Sequence, residues 1–214
     1  METKRYIFIR HGESEWNEVF NRGFHPIKFP IRLIKAIIRE FILLVSKDSI
    51  FVDTPLCDTG KKQAEKLYKF VKEYDVEKDP TKCKAGQYLV SRDASKSSVV
   101  VCSNLRRAMS TALIGLQDRL KTSNEKVYML SCLQEISRNI DANCISEKYT
   151  VPDMHGVEKS LNSWNFNAEN VFDTSAHKGQ KPIFGKGIQR LWDFNDWAFK
   201  RQVLFLISII ECRN

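Results

Sequence analysis

Residues 5–17 read RYIFIRHGESEWN. Between Arg5 and Arg10 lie an aromatic, two isoleucines and a phenylalanine, the composition of a short buried strand that a glycine soon stops. The apolar run passes directly into Arg10, His11 and Gly12, then into Glu13, Ser14 and Asn17. In open sheets with parallel strands, sites form beyond the carboxyl ends of the strands. A strand that ends in an imidazole between a guanidinium and a glycine therefore raises one question: what chemistry do the other strands deliver to the same edge?

Working outward, the pattern repeats. SSVVVCS at 97–103 reads as a second buried strand, KVYMLS at 126–131 as a third and VLFLISII at 203–210 as the last. Between them DTGKKQAEKLYKFVKEYD carries Ala64, Leu67, Tyr68, Val71 and Tyr74 at helical spacing, with Asp58 or Thr59 as its cap. NLRRAMSTALIGLQDRL turns Leu105, Met109, Ala112, Leu113 and Leu116 to one side, and GIQRLWDFNDWAFKRQ reads as a final helix. Strands alternating with helices imply an α/β fold with a largely parallel sheet. His11, Ser103 and Glu135 all fall just after strands.

Two segments stand outside this alternation. IRLIKAIIREFILLV, residues 31–45, places Ile31, Ile34, Ile38, Phe41 and Val45 at helical spacing, with Arg32, Lys35 and Arg39 on the other side. It is a basic amphipathic helix within an insert at about 24–50, too charged to span a membrane. It reads either as a helix packed on its own domain or as a lid or weak contact with an acidic membrane surface. Residues 139–185 form a loop-rich excursion, and 77–97 a polar surface loop. At 214 residues the chain fits one domain, 1–214.

The net charge of +8 suits either a solubilising surface or an anionic partner. The six cysteines include no CxxC pair, and neither Cys nor His shows metal-ligand spacing, so reduced thiols, a cytoplasmic setting, no metal and no other cofactor are expected. Trp164, Phe166, Phe172, Trp192 and Trp197 do not interleave with basic residues in one segment, so core packing is expected rather than nucleic-acid binding.

The residues that accompany His11 are those phosphate chemistry requires. Arg10 and Arg107 offer guanidinium forks, Asn17 a neutral donor, and Gly12 a close backbone approach to a ligand. Glu135 can protonate a leaving group, and a neutral imidazole flanked by cations can attack phosphorus. RHGESEWN, DTPLCDTGKKQA, VVVCSNLRRAMSTA and LSCLQEISRN, in that order over about residues 5–140, resemble the successive motifs of the histidine phosphatase superfamily, the phosphoglycerate mutase-like proteins.

That resemblance implies a three-layer α/β/α sandwich and a His11 that is transiently phosphorylated. It implies that Arg10, Asn17 and Arg107 hold the phosphate, with Arg107 chosen over Arg106 because it directly precedes the Ala of the motif. Glu135 would be the general acid, and Ser14 a substrate contact. The implied reaction is metal-independent hydrolysis of a phosphomonoester, in a phosphorylated small molecule or a phosphoprotein. A mutase reaction ranks lower, because the long hydrophobic insert is unlike the compact start of glycolytic mutases.

The resemblance fails at one place. The superfamily carries a second histidine just after a late core strand, yet VLFLISII is followed only by ECRN. His155 and His177 lie in the excursion and His25 in the early insert. The C-terminal elements are therefore expected to be incomplete and the activity impaired, since losing one preorganised donor costs about 10²–10³ in turnover. A chain that binds a phospho-ligand or a membrane surface without turnover is the competing expectation.

Two other readings fail on spacing. A cysteine phosphatase needs an Arg after Cys and five further residues, but Ala108 stands there relative to Cys102. LCDTGKK is similar to the Asp-Thr-Gly of aspartic proteases, but lysines follow and a helix begins, so helix capping explains Asp58 and Thr59.

Overall fold

The computed structural model describes residues 4–46, 48–73, 88–89, 98–154, 156–162, 164–181, 187–201 and 205–210. The surface loop expected at 77–97, apart from Tyr88 and Leu89, lies outside them, as do Tyr74, His155 and residues 211–214.

Five strands form one sheet: β1 (Arg5–Arg10), β2 (Ser98–Ser103), β3 (Val127–Leu130), β4 (Phe172–Asp173) and β5 (Phe205–Ile210). Their spatial order is β1-β5-β2-β3-β4, and every pairing is parallel. β2 is buried along its whole length, as expected of an apolar strand covered on both faces. Its alternation divides the core. Val100 and Cys102 join Ala64 and Val71 of α2 (Asp58–Glu73) and Met109 and Leu113 of α3 (Arg106–Gly115). Val99 and Val101 face the other way, onto Phe194 and Ala198 of α6 (Gly187–Phe199). The chain is therefore a three-layer α/β/α sandwich.

β1 is not the buried strand its composition suggests. Among the described residues it is an edge strand paired with β5 alone, Arg5 opposite Phe205 and Arg10 opposite Ile210. Ile7 and Ile9 pack on the core, while Phe8 is 55% exposed. The helix read over 104–120 divides at Leu116 into α3 and α4 (Gln117–Ser123), and α4 ends on Asn124 in the left-handed conformation. The excursion over 139–185 contains α5 (Ala168–Val171) and β4, which closes the far edge of the sheet against β3.

α1 (Lys28–Leu43) is the amphipathic helix expected, but turned over. Its inner face is Phe29, Leu33, Ala36 and Leu43, packed against Val19, Ile50 and Phe51. The apolar stripe that the spacing picks out faces solvent instead: Ile34 is 57%, Phe41 67% and Val45 91% exposed.

Candidate active site

The carboxyl ends of β1, β5 and β2 lie side by side, with Arg10 opposite Ile210 and Ile209 opposite Cys102. His11 leaves this edge with its backbone N–H still donating to Ile210 O at 3.2 Å, so the sheet itself fixes the residue. The ring is nearly buried. Its Nδ1 lies 2.5 Å from Gly12 O. A carbonyl can only accept, so the network assigns the proton to Nδ1 and leaves a lone pair on Nε2. Arg107 Nε donates to that Nε2 at 3.1 Å.

Arg107 is fully buried and multiply held. Its Nη1 donates to Asp141 O at 2.7 Å and its Nη2 to Glu135 Oε2 at 2.6 Å, with Asp141 Oδ2 at 3.9 Å. Its neighbour Arg106 turns the other way. It donates to Asp53 O at 2.7 Å, to Asp48 Oδ1 at 2.6 Å and to Ser49 O, and so ties the 48–53 loop to α3. Asp53 Oδ1 takes the Arg106 backbone N–H at 2.8 Å from a residue with φ of 49°.

A cavity of ≈ 640 Å³ opens beside His11, lined by Arg10, Asn17, Asn21, Gln63 and Thr111 among others. Arg10, His11 and Asn17 thus share one cavity, with Arg10 exposed at its rim. Arg107 reaches His11 Nε2 from the protein side and holds Glu135 in turn; neither is among the residues that line this cavity. Ser14 is fully buried. Its hydroxyl accepts the Asn17 N–H at 3.2 Å, and its backbone bridges to Leu56. Glu13 is gripped by Arg22 through two contacts of 2.7 and 2.6 Å, which cancels its charge beside the cavity.

Gly12 does not serve the ligand-side approach alone. A Cβ there would lie 2.4 Å from Gly60 O, and one on Gly60 would lie 2.0 Å from Glu13 O. The His11 loop and the first turn of α2 therefore meet backbone to backbone. The Gly12 N–H donates to Thr111 Oγ1 at 3.1 Å, and that hydroxyl donates to Arg107 O at 2.8 Å. Thr111, Gln63, Gly60 and Asp141 were not singled out from the sequence. Only Thr111 carries a signal there: it lies one helical turn after Arg107, hence on the same face.

The other candidates stand elsewhere. His177 is fully buried, with Nδ1 3.1 Å from Ser131 Oγ and Nε2 2.9 Å from Ser146 Oγ, both ring nitrogens thus occupied away from the cavity. His25 Nδ1 accepts the backbone N–H groups of Ile27 and Lys28 at the start of α1. Cys102 is fully buried and burial pushes its thiol strongly upward, which withholds the thiolate that a cysteine nucleophile needs.

No protein-family model matches the chain, and no curated protein matches it. Among solved structures it is similar to a protein of Escherichia coli str. K-12 substr. MG1655, provisionally described as an alpha-ribazole-5'-P phosphatase. The two share 17% identity at a TM-score of 0.44, over 98% of this chain and 74% of that chain.

Proposed function

We propose that the chain is a histidine phosphatase-like enzyme that hydrolyses phosphomonoesters through His11. The observation that carries this reading is the state of the His11 ring. Nδ1–H is spent on Gly12 O, and the Nε2 lone pair is held by Arg107 at the wall of a cavity that also presents Arg10 and Asn17. In this reading the arriving phosphate draws Arg107 Nε away from Nε2, Nε2 attacks phosphorus, and the bond from phosphorus to the ester oxygen breaks. Glu135 gives that oxygen a proton. Water then attacks the phosphohistidine, gives a proton back to Glu135, and releases inorganic phosphate with His11 restored.

Arg107 has to change partners along the way. Its Nη2 is engaged by Glu135 at 2.6 Å. An arriving phosphate dianion competes for that guanidinium and is the stronger bidentate acceptor. Glu135, released from Arg107, can then turn to the ester oxygen as the proton donor that the proposal needs.

The test is hydrolysis of 4-nitrophenyl phosphate without added metal, by the parent and by His11→Ala, with rapid acid-free denaturation and mass spectrometry of the His11 peptide. Turnover that disappears in His11→Ala, together with an added phosphoryl mass on His11, is the expected result. Turnover that persists in His11→Ala defeats the proposal.

A second reading keeps the pocket and drops the turnover. It is favoured by the engagement of Glu135 with Arg107. It expects a phosphorylated ligand to bind and be returned unchanged, with no phosphoryl mass on His11. Substrate binding by Arg10, Asn17 and Arg107, and any contact through Ser14, belong equally to both readings.

A further inference from the structure

α1 presents three sectors around its circumference. Phe29, Leu33, Ala36 and Leu43 face the domain. Half a turn around, Ile31, Ile34, Ile38, Phe41 and Ile42 face solvent, and Val45 continues the stripe in the 3-10 turn that follows. Between the two runs a basic row, Lys28, Arg32, Lys35 and Arg39, at the i, i+3, i+4 spacing that puts residues on one side. The helix has one acid, Glu40, and that acid is turned inward, accepting from Ser49 Oγ at 2.7 Å and Ile50 N at 2.8 Å. The outward side therefore combines an unbroken apolar stripe with a flank of one sign.

We infer that α1 is a membrane-surface helix, which lays its outward stripe into the headgroup–acyl boundary of an anionic bilayer while Lys28 and Lys35, the exposed lysines of the basic row, meet the lipid phosphates. This is independent of the chemistry at His11. The occupant is argued from charge complementarity. Isolated apolar residues on a surface are ordinary, but a contiguous stripe beside a uniformly basic row is what an interfacial helix requires. α6 supplies the contrast within the same molecule. It too exposes Ile188, Leu191, Trp192 and Phe199, but its flank carries Asp193 and Asp196, the latter paired with Lys200 at 2.6 Å, so that flank is of mixed sign rather than basic. Among the described residues no helix is long and apolar enough to cross a membrane, so contact through α1 is peripheral.

The inner side of α1 is held to the domain. Phe20 contacts Trp16 in a tilted pair and Phe29 edge-on, at centroid distances of 4.4 and 6.3 Å, and Arg39 at the flank pairs with Glu15 at 2.6 Å. The stripe is therefore exposed in the folded chain, and docking requires no unfolding of the helix.

The experiment is flotation of the full chain with vesicles of equal phosphatidylcholine and phosphatidylserine, and with phosphatidylcholine alone. Lys28→Gln/Lys35→Gln and Ile34→Glu/Ile38→Glu are compared with the parent; all four side chains are exposed, so matched thermal unfolding is expected. The parent should float with the acidic vesicles and less with the neutral ones. Neutralising the two lysines should weaken partitioning about 30-fold, since each basic residue near an anionic surface is worth about fivefold. The glutamate pair should abolish it. Binding unchanged by either pair, or no binding to acidic vesicles, overturns the inference. So does a concentration-dependent dimer that Ile34→Glu/Ile38→Glu dissociates while vesicles go unbound, because the stripe would then belong to a second copy of the chain.

Discussion

Arg106 and Arg107 are adjacent, both buried, and do unrelated work. The first closes a loop onto α3; the second reaches both His11 Nε2 and Glu135. Glu135 is where the proposed chemistry can be isolated, because Gln keeps its shape and still offers Arg107 an acceptor. If Glu135 protonates the leaving oxygen, Glu135→Gln should slow hydrolysis of an alkyl phosphate by about 10²–10⁴-fold. Hydrolysis of 4-nitrophenyl phosphate should suffer far less, because nitrophenolate leaves without a proton. Steady-state rates on the two esters read this directly. Equal losses on both would make Glu135 a positioning residue for Arg107 rather than an acid.

Between elements, the decisive contact is the one with no side chains. The loop carrying His11 meets the first turn of α2 at Gly12 and Gly60, with a Cβ on Gly60 falling 2.0 Å from Glu13 O. Alanine in a helix is ordinarily favoured over glycine by about 1 kcal/mol. Here backbone opposes the added atom, and backbone does not yield as a side-chain tip would. Overpacking of this kind costs about 1–3 kcal/mol. Gly60→Ala should therefore lower stability on balance, and the midpoint of urea unfolding measures it; an upward shift would show that the two backbones can separate. The close approach expected of Gly12 was to a ligand; that it also meets Gly60 was not legible, because nothing local to DTGKKQ says what its first turn will touch. The same limit governs α1. Periodicity locates its stripe, yet only the placement of Val19, Ile50 and Phe51 decides that Ala36 and Leu33 lie inward. β4 was hidden for a different reason: a strand of two residues has no period to read. The strands and helices of the sandwich were legible because each repeats its pattern over several residues.

For the molecule as a whole, the excursion over 139–185 is not ornament but the cover of one sheet edge, and His177 pins it there. Its ring bridges Ser131, at the end of β3, to Ser146, while its backbone accepts from Tyr149 N at 3.0 Å and donates to Thr174 O at 2.8 Å. Burial pushes the imidazole below its ordinary value, and the backbone contact with Glu147 acts in the opposite direction. In the unfolded chain the same ring titrates near pH 6.5, at about the ordinary value. The unfolded state therefore binds the proton more readily, and unfolding takes one up below that pH. The stability tied to neutral His177 is fully present above the unfolded value and is lost as pH falls from there through the lower folded value. Urea unfolding at pH 7.5 and at pH 5.5 should show the parent weaker at the lower pH. His177→Asn retains a donor and an acceptor for the two serines but cannot titrate. It should start less stable, by about 1–2 kcal/mol for imperfect buried hydrogen bonds, and lose less on acidification. An equal loss in the variant would assign the acid sensitivity to another group and leave His177 a structural bridge without a titration role.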